Sequence, residues 1–137
     1  MRAWIKRFIK WTFCVPEGNR SALKIIGWWE IRRIPYNLFI ACLAVVSILT
    51  YALFLNLSNP LKPGEDLIEP LLLIFAPIFI NIAYTFGWVM ELFLRYVARY
   101  KDQNIGPILL IVGLSISFIV VISPAILWMC NFISKFL

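Results

Sequence analysis

Residues 34–57 read IPYNLFIACLAVVSILTYALFLNL, 24 positions without a formal charge. As an α-helix rising about 1.5 Å per residue, this stretch reaches roughly 36 Å, more than the roughly 30 Å of hydrocarbon in a bilayer. Its 13 Leu, Ile, Phe and Val residues favour insertion by roughly 4 to 8 kcal/mol before corrections for Asn37, Thr50 and Asn56. The segment therefore reads as a membrane span, and the chain on either side of it follows from that reading.

Downstream, 58–69 (SNPLKPGEDLIE) gathers Pro, Gly, Asn and acidic residues that end a helix and form a short loop. A second span is predicted over 70–90, 21 uncharged residues bounded by Glu69 and Glu91. Pro70 suits its first turn, where the missing N–H costs nothing. Pro77 lies about two turns inside and predicts a bend. The helical pattern continues as ELFLRYVARYKD, with Glu91 and Arg95 at i and i+4, so the element is expected to run over 70–100 and project beyond the bilayer. A turn over 101–106, marked by Asn104-Ile105-Gly106-Pro107, precedes a third span at 107–129. The tail 130–137 is expected to be a frayed or interfacial outer end.

Upstream, residues 1–33 form a basic arm that Pro16-Glu17-Gly18-Asn19 divides into two amphipathic pieces. Met1, Trp4, Ile5, Phe8 and Thr12 recur at helical spacing, with Arg2, Lys6 and Lys10 on another side, which predicts an interfacial helix. In the second piece Ala22, Ile25, Ile26 and Trp29 share a face behind a capping Ser21, and the piece is expected to lie along the headgroups until Pro35 turns the chain inward. The fold class is thus an all-α membrane protein, three transmembrane helices behind a basic amphipathic arm.

Composition agrees, because 62% hydrophobic and 15% charged residues lie outside the range of water-soluble domains. Eight of the 13 Lys and Arg residues fall in the first 33 positions, against one in the first loop, three after the second span and one in the tail. The positive-inside rule then places the N-terminus in the cytoplasm and the C-terminus outside, as in a multi-pass protein of a bacterial inner membrane. Arg2, Lys6, Arg7, Lys10, Lys24, Arg32 and Arg33 are expected on anionic lipid headgroups. Trp28, Trp29, Tyr36 and Trp88 are expected as anchors at the inner interface, and Trp128 at the outer. No nucleic-acid motif accompanies the +6 charge. Lys6, Arg7 and Lys10 interrupt any signal-peptide core, so the N-terminus is expected to be retained.

The chain has no histidine, which removes histidine-ligated metals and histidine-dependent nucleophiles. Cys14, Cys42 and Cys130 are too widely spaced for a metal pair or a disulfide framework. Cys14 follows a basic amphipathic stretch where acylation can occur, although an ordinary thiol is the simpler reading. Glu65, Asp66 and Glu69 match no calcium loop and read as solvated charges. No catalytic, cofactor or metal site is expected. Asn81 and Thr85, one turn apart in the second span, should face protein, and Gly106, Gly113, Ser117 and Pro124 share a side of the third, with Gly113 to Ser117 at small-xxx-small spacing. These residues predict helix packing, or the lining of a pore. The reading is a small non-enzymatic membrane subunit that packs with itself or a larger membrane partner. The alternative is a homo-oligomeric pore or membrane-disrupting effector, and a lipid-handling enzyme using Glu91, Tyr84 or Cys14 ranks below both.

Overall fold

The computed structural model describes residues 2–15, 21–58, 70–100 and 102–135, and every regular element among them is an α-helix. In chain order these are α1 (Arg2–Phe13), α2 (Ala22–Ser58), α3 (Pro70–Tyr96) and α4 (Ile105–Ser134). Three of them, α2, α3 and α4, are long and apolar enough to cross a membrane. The turn at Pro16 to Asn19 and the acidic loop with Glu65, Asp66 and Glu69 lie outside the described residues, as does the side chain of Arg2.

The arm departs from the sequence expectation at Pro35. Instead of turning there, α2 runs as one helix of 37 residues from Ala22 to Ser58, about 56 Å long. Proline deletes one backbone hydrogen bond and crowds the carbonyl a turn earlier, but tertiary packing outweighs that local cost. Ile25, Trp29, Arg32, Tyr36 and Ile40 form a continuous buried stripe that passes through Pro35 without a break, and its close packing and hydrogen bonds to α1, α3 and α4 offset the proline. Of the face expected to lie along headgroups, Ile25 and Trp29 are almost completely buried, while Ala22 and Ile26 are half-buried.

α3 likewise continues through Pro77, whose carbonyl accepts a hydrogen bond from Asn81 Nδ2 at 3.0 Å. It stops at Tyr96, four residues before the expected end at 100. Tyr100 N–H closes back onto the Leu94 carbonyl at 3.0 Å, and Arg99 adopts the left-handed conformation, φ 52°, that such a helix end requires. After Asp102 Oδ1 accepts the Asn104 N–H at 2.8 Å, α4 starts at Ile105, with Pro107 in its first turn. It continues to Ser134, past the limit of 129 read from the sequence.

Side-chain pairs set the register. α2 and α4 run parallel, joined by the Tyr36–Ser117 hydroxyl pair at 2.6 Å and the Tyr51–Trp128 and Phe54–Phe132 ring contacts. α3 runs antiparallel to α2, with Trp29 on Glu91, Arg33 on Thr85 and Asn37 on Asn81. Burial gathers at the end of the bundle that carries α1, where Ile25, Trp28, Trp29, Tyr36, Ile40, Tyr84 and Leu110 form one cluster. Elsewhere the helices stay open, since only 11% to 22% of the most apolar window of each is buried within the chain. That leaves apolar faces suited to lipid or to other helices.

Gly87 permits the closest approach of α3 to α2, because a Cβ there would fall 2.7 Å from the Trp29 ring, which is 1% exposed and has no room to retreat. Gly87→Ala should therefore lower stability by about 1–3 kcal/mol, read as a reduced thermal midpoint in detergent. Gly27→Ala, whose Cβ meets nothing within 4 Å, should leave the midpoint unchanged or raise it.

Candidate functional site

The polar side chains converge where the basic end of α2 meets α3, α4 and the C-terminus of α1. Glu91 is fully buried, and its carboxylate accepts a hydrogen bond from Trp29 Nε1 at 2.7 Å and an ion-pair contact from Arg95 Nε at 2.9 Å. The i, i+4 spacing on α3 supplies Arg95. The same carboxylate lies against Gly106, where a Cβ would come within 2.7 Å of Oε2. Glu91 thus sits at the first turn of α4, whose unpaired N–H end favours an anion. A bare glycine on one helix and an acid on another are matched across this contact.

Tyr84 stacks one layer above. Its hydroxyl donates to the Trp29 carbonyl at 2.5 Å, and its ring packs edge-on against Trp29 and tilted against Tyr36. Tyr84 and Glu91 therefore share Trp29, whereas Cys14, grouped with them as a reactive set, is exposed beyond the end of α1. All three cysteines are exposed free thiols, and among the described residues no cluster of His, Cys, Asp and Glu could hold a metal.

Arg32 fastens α1 to the bundle. Its Nε donates to the Thr12 carbonyl at 2.6 Å and its Nη2 to the Trp11 carbonyl at 2.5 Å, with a longer contact to Cys14 O at 3.3 Å. The C-terminal carbonyls of a helix have no intrahelical donors and attract a cation. Guanidinium meets several of them at once because it is a planar fork. The same group lies over the rings of Trp28, 4.0 Å from its centroid, and Trp11, 5.0 Å. Trp28 adds a hydrogen bond from Nε1 to Cys14 O at 3.1 Å.

Several residues assigned to lipid from the sequence are consequently internal. Arg32, expected on headgroups, is 6% exposed and holds α1. Trp28, Trp29 and Tyr36, expected as interface anchors, are buried in the protein. Trp88 is partly buried against that cluster, with no hydrogen-bond acceptor at Nε1 among the described residues. Trp128 packs edge-on against Tyr51 near the far end. The physical reason is the unbroken course of α2, which carries its first turns into contact with α3 and α4 instead of along a surface. Lys6, Arg7, Lys10 and Lys24 remain exposed, and Trp4, Phe8 and Trp11 form an exposed, mutually stacked aromatic face on α1.

The packing residues divide in the same manner. Asn81 accepts from Asn37 Nδ2 at 3.1 Å, while Thr85 accepts from Arg33 Nη2 at 2.8 Å and donates to the Asn81 carbonyl at 2.8 Å. Ser117 is buried on Tyr36. Polar groups that a pore would turn toward water are tied to partners within the chain. Gly113 alone of the small residues singled out on α4 meets open space, with nothing within 4 Å of a Cβ placed there. The sequence offered no signal that Arg32 or Trp29 was internal, whereas the Glu91–Arg95 spacing was readable.

No family model, curated protein or solved structure shows significant similarity to this chain. Function is accordingly argued from the node itself.

Glu91→Gln should destabilise the protein by about 3 kcal/mol, because Arg95 then faces a buried neutral amide, visible as a lower unfolding midpoint. Arg32→Ala should release α1, giving faster amide exchange and new proteolysis within residues 2–15 while α2, α3 and α4 stay protected. Arg32→Lys should release it nearly as much, since an ammonium cannot span the same carbonyls while stacking on two rings.

Proposed function

We infer that this chain is a small non-enzymatic integral membrane subunit that works by packing its apolar helix faces against a second copy or a larger membrane protein. The observation that carries the reading is how the polar groups are spent. Glu91, Arg32, Tyr84, Asn81, Thr85 and Ser117 all bond within the chain, so its outer surface presents apolar helix and a basic arm.

Membrane placement follows from the charges and the aromatic residues. About 27 Å of helix separates Arg33 from Tyr51 on α2, close to the roughly 30 Å of a hydrocarbon core. Arg33 then marks the cytoplasmic boundary and the Tyr51–Trp128 pair the outer one. The node of Trp29, Arg32, Glu91 and Arg95 sits just below the bilayer on the cytoplasmic side. There α1 lies in the interface with Trp4, Phe8 and Trp11 toward the acyl chains and Lys6, Arg7 and Lys10 among anionic headgroups. Intermolecular contact is assigned to the open edge of α4 at Gly113, flanked by exposed Ile116 and Val120, where a missing side chain lets another backbone approach.

Cross-linking in native membranes should trap a defined oligomer or a discrete partner, and Gly113→Leu should abolish the cross-linked species without changing the thermal midpoint of the isolated chain. A chain that stays monomeric and uncross-linked at every density tested overturns the reading, as does selective ion conductance in liposomes. Tags on the two termini should report from opposite sides of the membrane.

A further inference from the structure

The outer face of α3 carries a groove of ≈ 560 Å³ bordered by Pro77, Ile78, Asn81, Ile82, Thr85 and Val89. Its walls are apolar except for Asn81 and Thr85, whose polar atoms already bond to Asn37, to the Pro77 carbonyl and to Arg33. A second polar helix would find little to pair with here. From Val89 to Pro77 the groove runs for about 18 Å along α3, and one leaflet of hydrocarbon is about 15 Å deep. The groove is therefore close in length to one half of the bilayer, with its Val89 end one turn beyond the level of Arg33.

At that level a cation stands at the rim. Arg33 Nη2 reaches Thr85 on the groove wall at 2.8 Å and Glu30 at 3.0 Å, and the side chain remains 29% exposed. Guanidinium has more donors than these two acceptors consume, and its fork matches phosphate oxygens. An open apolar groove about as long as one leaflet, formed by the side chains of α3, with a partly exposed arginine on its flank, has the charge and length pattern of a phospholipid. Relying on the membrane placement above, we propose that α3 holds a single phospholipid of the cytoplasmic leaflet, with an acyl chain against Ile78 and Ile82 and its phosphate on Arg33. Glu30 competes with the phosphate for the same guanidinium, which makes it the negative determinant of the site.

The test is native mass spectrometry of the full chain released from mild detergent after incubation with phosphatidylglycerol, or with diacylglycerol of the same chains. The wild type should retain one phosphatidylglycerol and little diacylglycerol. Arg33→Gln should cut retention about tenfold, the loss of a charge-assisted hydrogen bond. Ile82→Trp, at a side chain 59% exposed, should fill the groove and cut retention without touching an internal contact, and Glu30→Gln should raise it. Millimolar inorganic phosphate should not displace the lipid, because the acyl chain supplies much of the binding. Equal retention by Arg33→Gln and the wild type, equal retention of diacylglycerol, or indifference to Ile82→Trp would each reveal an unspecific annular lipid and overturn the proposal. The same spectra report oligomeric state. Loss of lipid specificity with the oligomer intact sinks the lipid site alone, and a lipid-bearing monomer that also stays uncross-linked in native membranes sinks the subunit reading alone.

Discussion

Glu91 is the constraint around which the bundle is arranged. A fully buried carboxylate is tolerated only when its oxygens are paired, and here an indole on α2 and an arginine one turn along α3 pair with it while it lies against Gly106 in the first turn of α4. Meeting that demand fixes how far α2 slides along α3 and where α4 must begin. Gly87 and Gly106 follow from it, since each removes the side chain that would block Trp29 or the carboxylate. A buried ion pair is weak evidence for stability, but one acid shared by three helices specifies a register, which apolar helices in lipid otherwise lack. Between such helices there is no hydrophobic driving force, and small polar contacts decide alignment.

The same logic explains the uneven distribution of burial. Toward the far end the helices meet through ring contacts and a few buried side chains, among them Leu55 and Ala125. At the basic end, aromatic rings, arginines and Glu91 form a dense layer, which Arg32 and Trp28 extend to α1. α1 is thereby tied to the spans through the carbonyls of its last turn, while Trp4 and Phe8 stay exposed. An arm tethered in this way has its orientation set by the bundle.

Much of the architecture was legible because uncharged length is a strong signal. The three apolar runs and the helical start at Pro70 needed nothing beyond counting charges and prolines. Pro35 misled because a local rule does not see a long-range stripe, and Ile25, Trp29, Arg32 and Tyr36 keep the helix continuous for reasons that lie on α1, α3 and α4. Trp28 and Trp29 misled similarly. Tryptophan beside a span is usually an interfacial anchor, and only the position of Glu91, 62 residues further on, makes Trp29 an internal donor. Asn81 was readable as a residue seeking a partner, but Asn37 as that partner was not, because pairing between helices depends on a register that no single helix encodes.

What the fold leaves on its surface bears on what it can do. Among the described residues, the polar groups between α2, α3 and α4 and the buried acid are paired internally, which leaves mainly apolar helix and a cationic rim facing outward. The first suits other helices where a backbone is bare, as at Gly113, and acyl chains where side chains form a slot, as along α3 from Pro77 to Val89. The second suits phosphate, most of all where a guanidinium is held in place but not saturated. Arg32 and Arg33, adjacent in sequence, illustrate the division: one is buried and committed to the carbonyls of α1, the other remains partly exposed beside Thr85 and Glu30. A helix turns consecutive residues about 100° apart, so neighbouring arginines meet different surroundings, one holding α1 to the bundle and the other left open on one side.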